Sequence, residues 1–243
     1  MHRFFVPEQG FQGQIVLLSG ADARQIRKVL RLKPGDLIEV LNGEGSSFLA
    51  ILERVSQAEV RGRLLKTGED RDESHLSITL AQVLPRLTKM DLIVQKATEL
   101  GVSRIIPLLA ERAHFRGEVA EFRVNRWRRI AKESAEQCGR KAIPPIDLPQ
   151  NLLSFLNQDI PGEKILFWEG ETKRRLREVL RANFTPSNYT LLVGPEGGFS
   201  PQEVERATGK GYIPVSLGKR ILRAESVALV ALALLQYERG DLG

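Results

Sequence analysis

Apolar positions follow two rhythms along this chain. Over residues 1–70 they come in short runs that alternate with polar ones, and from His75 onward they switch repeatedly between strand and helix spacing. In the first stretch, residues 4–6, 15–18 and 60–65 are predicted strands, and residues 19–30 a helix with Ser19 as its N-cap. Residues 36–41 and 48–52 flank Asn42-Gly43-Glu44-Gly45, where Asn-Gly offers the positive φ angles of a tight hairpin. These elements make a small, mostly β, barrel-like unit. Residues 68–74 are charged and nearly free of apolar side chains, which predicts a linker.

The second stretch predicts strands at 76–84, 104–109, 164–168, 190–193 and 213–217. Helices are predicted at 88–100, 122–138, 172–182, 201–208 and 224–238. Strand and helix alternate throughout, as in a parallel sheet covered on both faces. On the helix at 122–138, Trp127, Ile130, Ala131, Ser134 and Cys138 recur at helical spacing and are predicted to face the core, with Arg126, Arg129 and Lys132 outward. Trp127 and Cys138 are therefore packing residues. The last helix is apolar nearly all round, so more than one surface must bury it.

Ligands in such sheets lie beyond the carboxyl ends of the strands, and two glycine-bearing loops fall there. The first is Gly194-Pro195-Glu196-Gly197-Gly198-Phe199-Ser200. Ser200-Pro201-Gln202-Glu203 then reads as a capping box with proline at the first helical position. Phosphate is the first ligand to test at a helix start, but neither the P-loop nor the dinucleotide fingerprint is present, and Glu196 would repel an anion. A ligand without phosphate, held by backbone groups, fits better; a tight turn with no ligand is the alternative. The second loop, Ser216-Leu217-Gly218-Lys219-Arg220-Ile221-Leu222-Arg223, carries two arginines into the most apolar helix of the chain. Arg220 and Arg223 are the leading functional candidates.

Composition narrows the class. With 42% hydrophobic and 27% charged residues, a chain of 243 can bury a substantial core. The longest apolar stretch, residues 227–235, is far too short to cross a bilayer, and the N-terminus has no secretory pattern, so a cytoplasmic location is expected. One cysteine and three scattered histidines exclude a disulfide and give no metal site. Lys+Arg exceeds Asp+Glu by 36 to 30, and a basic chain of this kind suits nucleic acid. Arginines cluster at Arg24, Arg27 and Arg31 and again at Arg123, Arg126, Arg128 and Arg129. The run at Lys173–Arg177 is better explained as a solvated helix face.

Taken together, the two loops (the first ending in Gly-Phe-Ser, the second continuing Leu222-Arg223-Ala224-Glu225) closely resemble the RsmE family. These are SPOUT-class RNA methyltransferases that modify N3 of a uridine in 16S ribosomal RNA. His2-Arg3-Phe4-Phe5-Val6, Gln95-Lys96-Ala97-Thr98-Glu99-Leu100-Gly101 and Glu136-Gln137 through Arg140 are similar to the same family. Ala224 departs from it, standing where threonine is frequent. The resemblance implies an α/β fold: a SPOUT-type parallel sheet with a C-terminal trefoil knot at 75–243, preceded by a small PUA-like β-barrel RNA-binding domain at 1–70. It implies S-adenosylmethionine as cofactor, a homodimer, and 16S rRNA or the small ribosomal subunit as partner, with no metal.

The cofactor pocket it implies comprises Leu192, Gly194, Pro195, Glu196, Gly197, Gly198, Ser216, Leu217, Gly218, Ile221, Leu222 and Ala224. Uracil N3–H is a weak acid, so transfer to it calls for a cation opposite the ring oxygens and a proton acceptor. Arg223, with Arg220 second, is the expected cation, and Glu225 or Glu196 the expected base. Arg3, Arg24, Arg27, Arg31, Arg126 and Arg129 are the expected RNA contacts. His114-Phe115-Arg116 is either substrate-facing or a plain loop. A related enzyme acting on another base or a ribose, a catalytically silent RNA-binding protein, and a nucleotide-binding α/β protein remain as alternatives.

Overall fold

The computed structural model describes residues 1–43, 45–67, 73–113, 119–182 and 187–242. Most of the expected linker, Glu44 of the hairpin turn and His114-Phe115-Arg116 lie outside the described residues. The chain groups into two units: Met1–Glu73 with Ala135–Ile143, and Ser74–Ser134 with Pro144–Gly243. The segment 135–143 thus interrupts the linear division at 70–75.

The first unit is a six-stranded sheet in the order β1-β4-β5-β6-β3-β2. The strands are β1 (His2–Phe5), β2 (Phe11–Gln12), β3 (Ile15–Ser19), β4 (Leu37–Leu41), β5 (Ser47–Val55) and β6 (Glu59–Thr67). Among the described residues of this unit, β1 and β4 pair in parallel and the other neighbours antiparallel. Register shifts on β5 near Leu49 and Leu52 add local twist. Phe4, Val16, Ile26, Ile38, Val40 and Leu52 close its core.

Two local expectations change in this unit. The predicted helix is a short α-helix, α1 (Gly20–Arg24), running into one π-helical turn at Gln25–Val29, and the Ser19 side chain makes no capping bond. The β4–β5 pairing ends at Leu41 opposite Ser47, so the connection is five residues long and its positive φ angles fall on Gly43 and Gly45, not on Asn42.

Glu73, expected as solvated linker charge, is held within the unit. Its carboxylate pairs with Arg140 at 3.0 Å and accepts from the backbone N–H of Lys141 and Ala142. Burial alone would raise its pKa, but Arg140 and those amides outweigh burial and hold it below the usual 4.5.

The second unit is a six-stranded, wholly parallel sheet in the order β12-β10-β11-β7-β8-β9. Its strands are β7 (Ser77–Val83), β8 (Arg104–Leu109), β9 (Gln150–Asn151), β10 (Glu163–Phe167), β11 (Asn188–Val193) and β12 (Ile213–Val215). The helices are α2 (Leu87–Glu99), α3 (Glu121–Cys138), α4 (Leu152–Leu156), α5 (Leu176–Ala182), α6 (Pro201–Gly209) and α7 (Ala224–Arg239). The near-continuous apolar runs of β7, β8 and β11 are buried on both faces, as parallel strands require. Winding proceeds from β7 outward to β8 and β9, then crosses β7 to β10, steps back to β11 beside β7, and ends outside β10 at β12. This reversal puts the β7–β11 boundary at a topological switch point, where open α/β sheets bind ligands.

On α3, Val124, Trp127, Ala131 and Ser134 are buried, and Arg126 and Arg129 are exposed. Cys138 is a correction: it is exposed, because the helix ends there and its last turn leaves the apolar face. Helix α5 begins at Leu176, later than expected, because the Glu171 carboxylate takes the backbone N–H groups of Lys173 and Arg174 into a turn. Among the described residues no helix is long and apolar enough to cross a membrane, and no cluster of three metal-ligating side chains occurs.

Candidate active site

The two glycine loops leave the sheet side by side. Strand β10 lies between β11 and β12, and Phe167 is in register with both Val193 and Val215. Two strand spacings separate the loop origins, roughly 10 Å, which is the span of a nucleoside. Both loops rise from the carboxyl ends of their strands.

Local sequence fixes the first loop. Gly198, at φ 66°, donates its N–H to the Pro195 carbonyl at 3.0 Å, a turn that favours glycine. A side chain at Gly194 would press on the ring of buried Phe199, at 3.0 Å. The capping box forms as its residues predict: Ser200 Oγ accepts from Glu203 N–H at 3.3 Å, and Glu203 Oε2 accepts from Ser200 N–H at 2.9 Å. Glu203 also accepts from Glu111 N–H after β8, tying a neighbouring strand end to the loop. Buried Gln82 donates to the Gly194 carbonyl at 3.4 Å, and its own Oε1 has no partner among the described residues.

The second loop is held at its entrance and open beyond. Ser216 bonds main chain to main chain with Arg174 and Leu176, and its hydroxyl closes a small turn on Gly218, whose φ is 123°. A Cβ at Gly218 would meet open space. The backbone N–H groups of half-buried Leu217 and Leu222 have no hydrogen-bond partner among the described residues. Unpaired main-chain donors in a partly buried loop are costly unless a ligand or water takes them. Ile221 is 86% exposed, whereas Leu192, Pro195 and Ala224 are buried. These features suit a phosphate-free nucleoside held by backbone groups.

The charged residues sort themselves in an order the sequence did not predict. Arg220 and Arg223 are exposed and form no ion pair among the described residues. Both nearby carboxylates are instead taken by Lys89, from the first turn of α2. Its Nζ lies 3.1 Å from Glu196 Oε1 and 3.1 Å from Glu225 Oε2, the latter contact close but not aligned as a hydrogen bond. The Arg86 N–H also reaches Glu196 Oε1, at 3.4 Å. Glu225 first and Glu196 second raise the pKa of Lys89. For Glu196, burial pushes the pKa up, but its own backbone N–H, Lys89 and Arg86 together hold it below 4.5. A carboxylate so stabilised is a weaker base, which argues against Glu196 as proton acceptor.

Sequence inspection missed Lys89, although one signal was present. A cation in the first turn of a helix sits at the positive end of the dipole, where it is disfavoured without carboxylate partners.

The six arginines proposed for RNA divide as well. Arg3 pairs with buried Glu39 at 2.6 Å, so its guanidinium is committed inside its own unit. Arg126 pairs with Asp91 at 2.9 Å and Arg129 with Glu133 at 3.6 Å, both at the surface. Arg24 and Arg31 are exposed, and Arg27 has a buried Nε without a partner among the described residues. These three straddle the π-helical turn, and Arg31 is the one non-glycine residue with positive φ among those described, at 55°.

Comparison with known proteins places this geometry in context. An RNA methyltransferase domain model matches residues 72–236, and an RNA methyltransferase PUA domain model matches residues 18–64. A ribosomal RNA small subunit methyltransferase E from Buchnera aphidicola is 34% identical over 94% of this chain and 93% of its own length. The crystal structure of a ribosomal RNA small subunit methyltransferase E from Neisseria gonorrhoeae, bound to S-adenosyl methionine, superposes with a TM-score of 0.91. It shares 33% identity and covers 100% of both chains. A methyltransferase structure from Legionella pneumophila, in complex with the same cofactor, gives a TM-score of 0.89 at 34% identity, covering 99% of this chain and 98% of the other.

Proposed function

This chain belongs to the ribosomal RNA small subunit methyltransferase E family, and on that premise we propose that it transfers a methyl group from S-adenosylmethionine to N3 of a uridine in 16S ribosomal RNA. One observation carries the proposal: two strand-end loops leave the same carboxyl edge of the sheet on either side of β10, and the second carries, among the described residues, main-chain donors without a partner and two arginines without an ion pair. When bound, the cofactor supplies an electrophilic methyl on a sulfonium. Everything else falls to the chain. Leu192, Gly194, Pro195, Gly197 and Gly198 form one wall of the pocket, and Ser216, Leu217, Gly218, Ile221, Leu222 and Ala224 the other. Backbone donors there orient the nucleoside, and orientation supplies much of the rate.

Arg223, the N-cap residue of α7, is exposed and makes no ion pair among the described residues. Its guanidinium is therefore available to stabilise negative charge on the uracil oxygens as N3 loses its proton. Arg220 stands behind it as the second cation. With Glu196 and Glu225 paired to Lys89, the N3 proton passes to solvent.

Residues 1–70 serve as the PUA-like RNA-binding domain and 75–243 as the methyltransferase domain. Arg24, Arg27 and Arg31 are the favoured phosphate contacts of the former, supported by the uncommon backbone beneath them. Arg126 and Arg129 add charge from the latter, and Arg3 is withdrawn because Glu39 already holds it. A homodimer is supported by the exposed apolar stripe Val230, Leu234 and Tyr237 on α7, at 37%, 40% and 67% exposure. A C-terminal trefoil knot is supported by the run of residue 216 alongside residue 175 before the chain returns to α7 against β11 and β7. The protein works in the cytoplasm on rRNA or the small subunit.

Calorimetry with S-adenosylmethionine, ATP and NAD, followed by mass spectrometry of 16S rRNA treated with enzyme and cofactor, tests the proposal. Binding of the first ligand alone and the gain of one N3-methyluridine are expected. RNA binding with no affinity for S-adenosylmethionine would leave an RNA-binding scaffold instead, and a methyl on ribose or another base would redirect the substrate.

A further inference from the structure

Lys89 has no role in the pocket described above, yet it is the cation that Glu196 and Glu225 share. It belongs to the first turn of α2, where the helix dipole opposes a positive charge. No acidic residue stands in the first turn of α2 to offset this. What stabilises the ammonium there is Glu196 at 3.1 Å, in the middle of the first glycine loop, and Glu225 at 3.1 Å, in the first turn of α7. Three elements distant in sequence therefore meet on one nitrogen. The same contact brings two carboxylates together, which would repel without the cation between them. Glu225 lies two residues after Arg223, so whatever fixes Glu225 also fixes the residue that begins α7.

Resting on the methyltransferase proposal, we infer that Lys89 is a positioning residue. It ties the first glycine loop to the start of α7 through Glu196 and Glu225, and so sets the distance between the cofactor wall and the Arg223 guanidinium. An arginine at 89 can make the same two-carboxylate bridge; a methionine keeps the length but not the tie.

Three variants test this: Lys89→Met, Lys89→Arg, and Lys89→Met combined with Glu196→Gln and Glu225→Gln. Methyl transfer to 16S rRNA is measured under saturating cofactor alongside the KM for RNA. Misplacement of a reacting group by about 1 Å costs on the order of 100-fold, so Lys89→Met should lower kcat by about that factor with KM for RNA nearly unchanged. Lys89→Arg should recover most of kcat. The triple variant, free of carboxylate repulsion but lacking the tie, should remain slow. Wild-type kcat in Lys89→Met or in the triple variant would overturn the inference, as would an arginine variant no better than the methionine one.

A second measurement needs no methyl transfer and separates this inference from the reaction proposal. In thermal unfolding, Lys89→Met and Glu196→Gln should be non-additive, because each removes the same contact. Additive shifts would sink the tie even in an active enzyme. Non-additive shifts with an inactive wild type would sink the methyltransferase proposal and leave the tie standing.

Discussion

The two glycine loops start on either side of β10, yet they are built in opposite ways. The first, residues 194–200, satisfies itself: a turn closed on Pro195, a buried phenylalanine, a reciprocal capping box, and a carboxylate tied to Lys89. The second, residues 216–223, bonds at Ser216 and Gly218 and otherwise carries, among the described residues, main-chain donors without a partner at Leu217 and Leu222, an exposed isoleucine and two arginines without an ion pair. One loop is a fixed wall; the other keeps its polar groups for something outside the chain. A site that must hold one molecule still while stabilising charge on a second needs both kinds.

This contrast can be broken most sharply at Arg223. Removing a preorganised cation from developing charge costs on the order of 100–1,000-fold in kcat. Arg223→Ala should fall in that range, with calorimetric affinity for S-adenosylmethionine within about twofold of wild type. An unchanged kcat would take Arg223 out of the reaction. The next largest effect belongs to the rigid wall. Alanine at Gly198 must adopt a φ near 66° and crowds the Glu169 carboxylate, so the loop should lose about 1–2 kcal/mol and bind cofactor about tenfold more weakly. Gly218→Ala must hold a φ near 123°, a strain of about 1–3 kcal/mol, but its new Cβ meets open space, so cofactor affinity should fall less than at Gly198. Equal losses at both glycines would erase the distinction between the loops.

Ser200→Ala removes half of the capping box and should cost about 1 kcal/mol, lowering the melting temperature by about 2–4 °C. The smallest effect lies away from the loops, at Glu73. Its folded pKa is below 4.5, so its contribution to stability is fully present above that pH and is lost as pH falls through the lowered value. Glu73→Gln should be less stable by about 1 kcal/mol or less near neutral pH, and the difference should vanish in acid-denaturation curves below that window.

Much of this was legible in the sequence. Alternation of strand and helix spacing gave the parallel sheet, and Ser200-Pro201-Gln202-Glu203 gave the start of α6 to the residue. Element ends follow local rules less closely. Ser19 occupies the cap position without bonding, since the helix it opens passes at once into a π turn. Cys138 keeps helical spacing with Trp127 but falls in the terminal turn, where the core no longer covers that face.

By itself, then, the sequence determined the features that depend on neighbours a few residues apart: the glycine turns, the capping box, the apolar strands and the arginines of the second loop. Glycine's access to positive φ and the reach of a serine hydroxyl to the third residue beyond are properties of the local chain. Only the tertiary structure decided which charges meet. Lys89, Glu196 and Glu225 are far apart in the sequence, and Arg3 found Glu39 through the pairing of β1 with β4. Coulomb attraction acts over a few ångströms of space irrespective of chain distance, so ion-pair partners, and therefore the arginines left without them, are fixed by how the strands and helices pack.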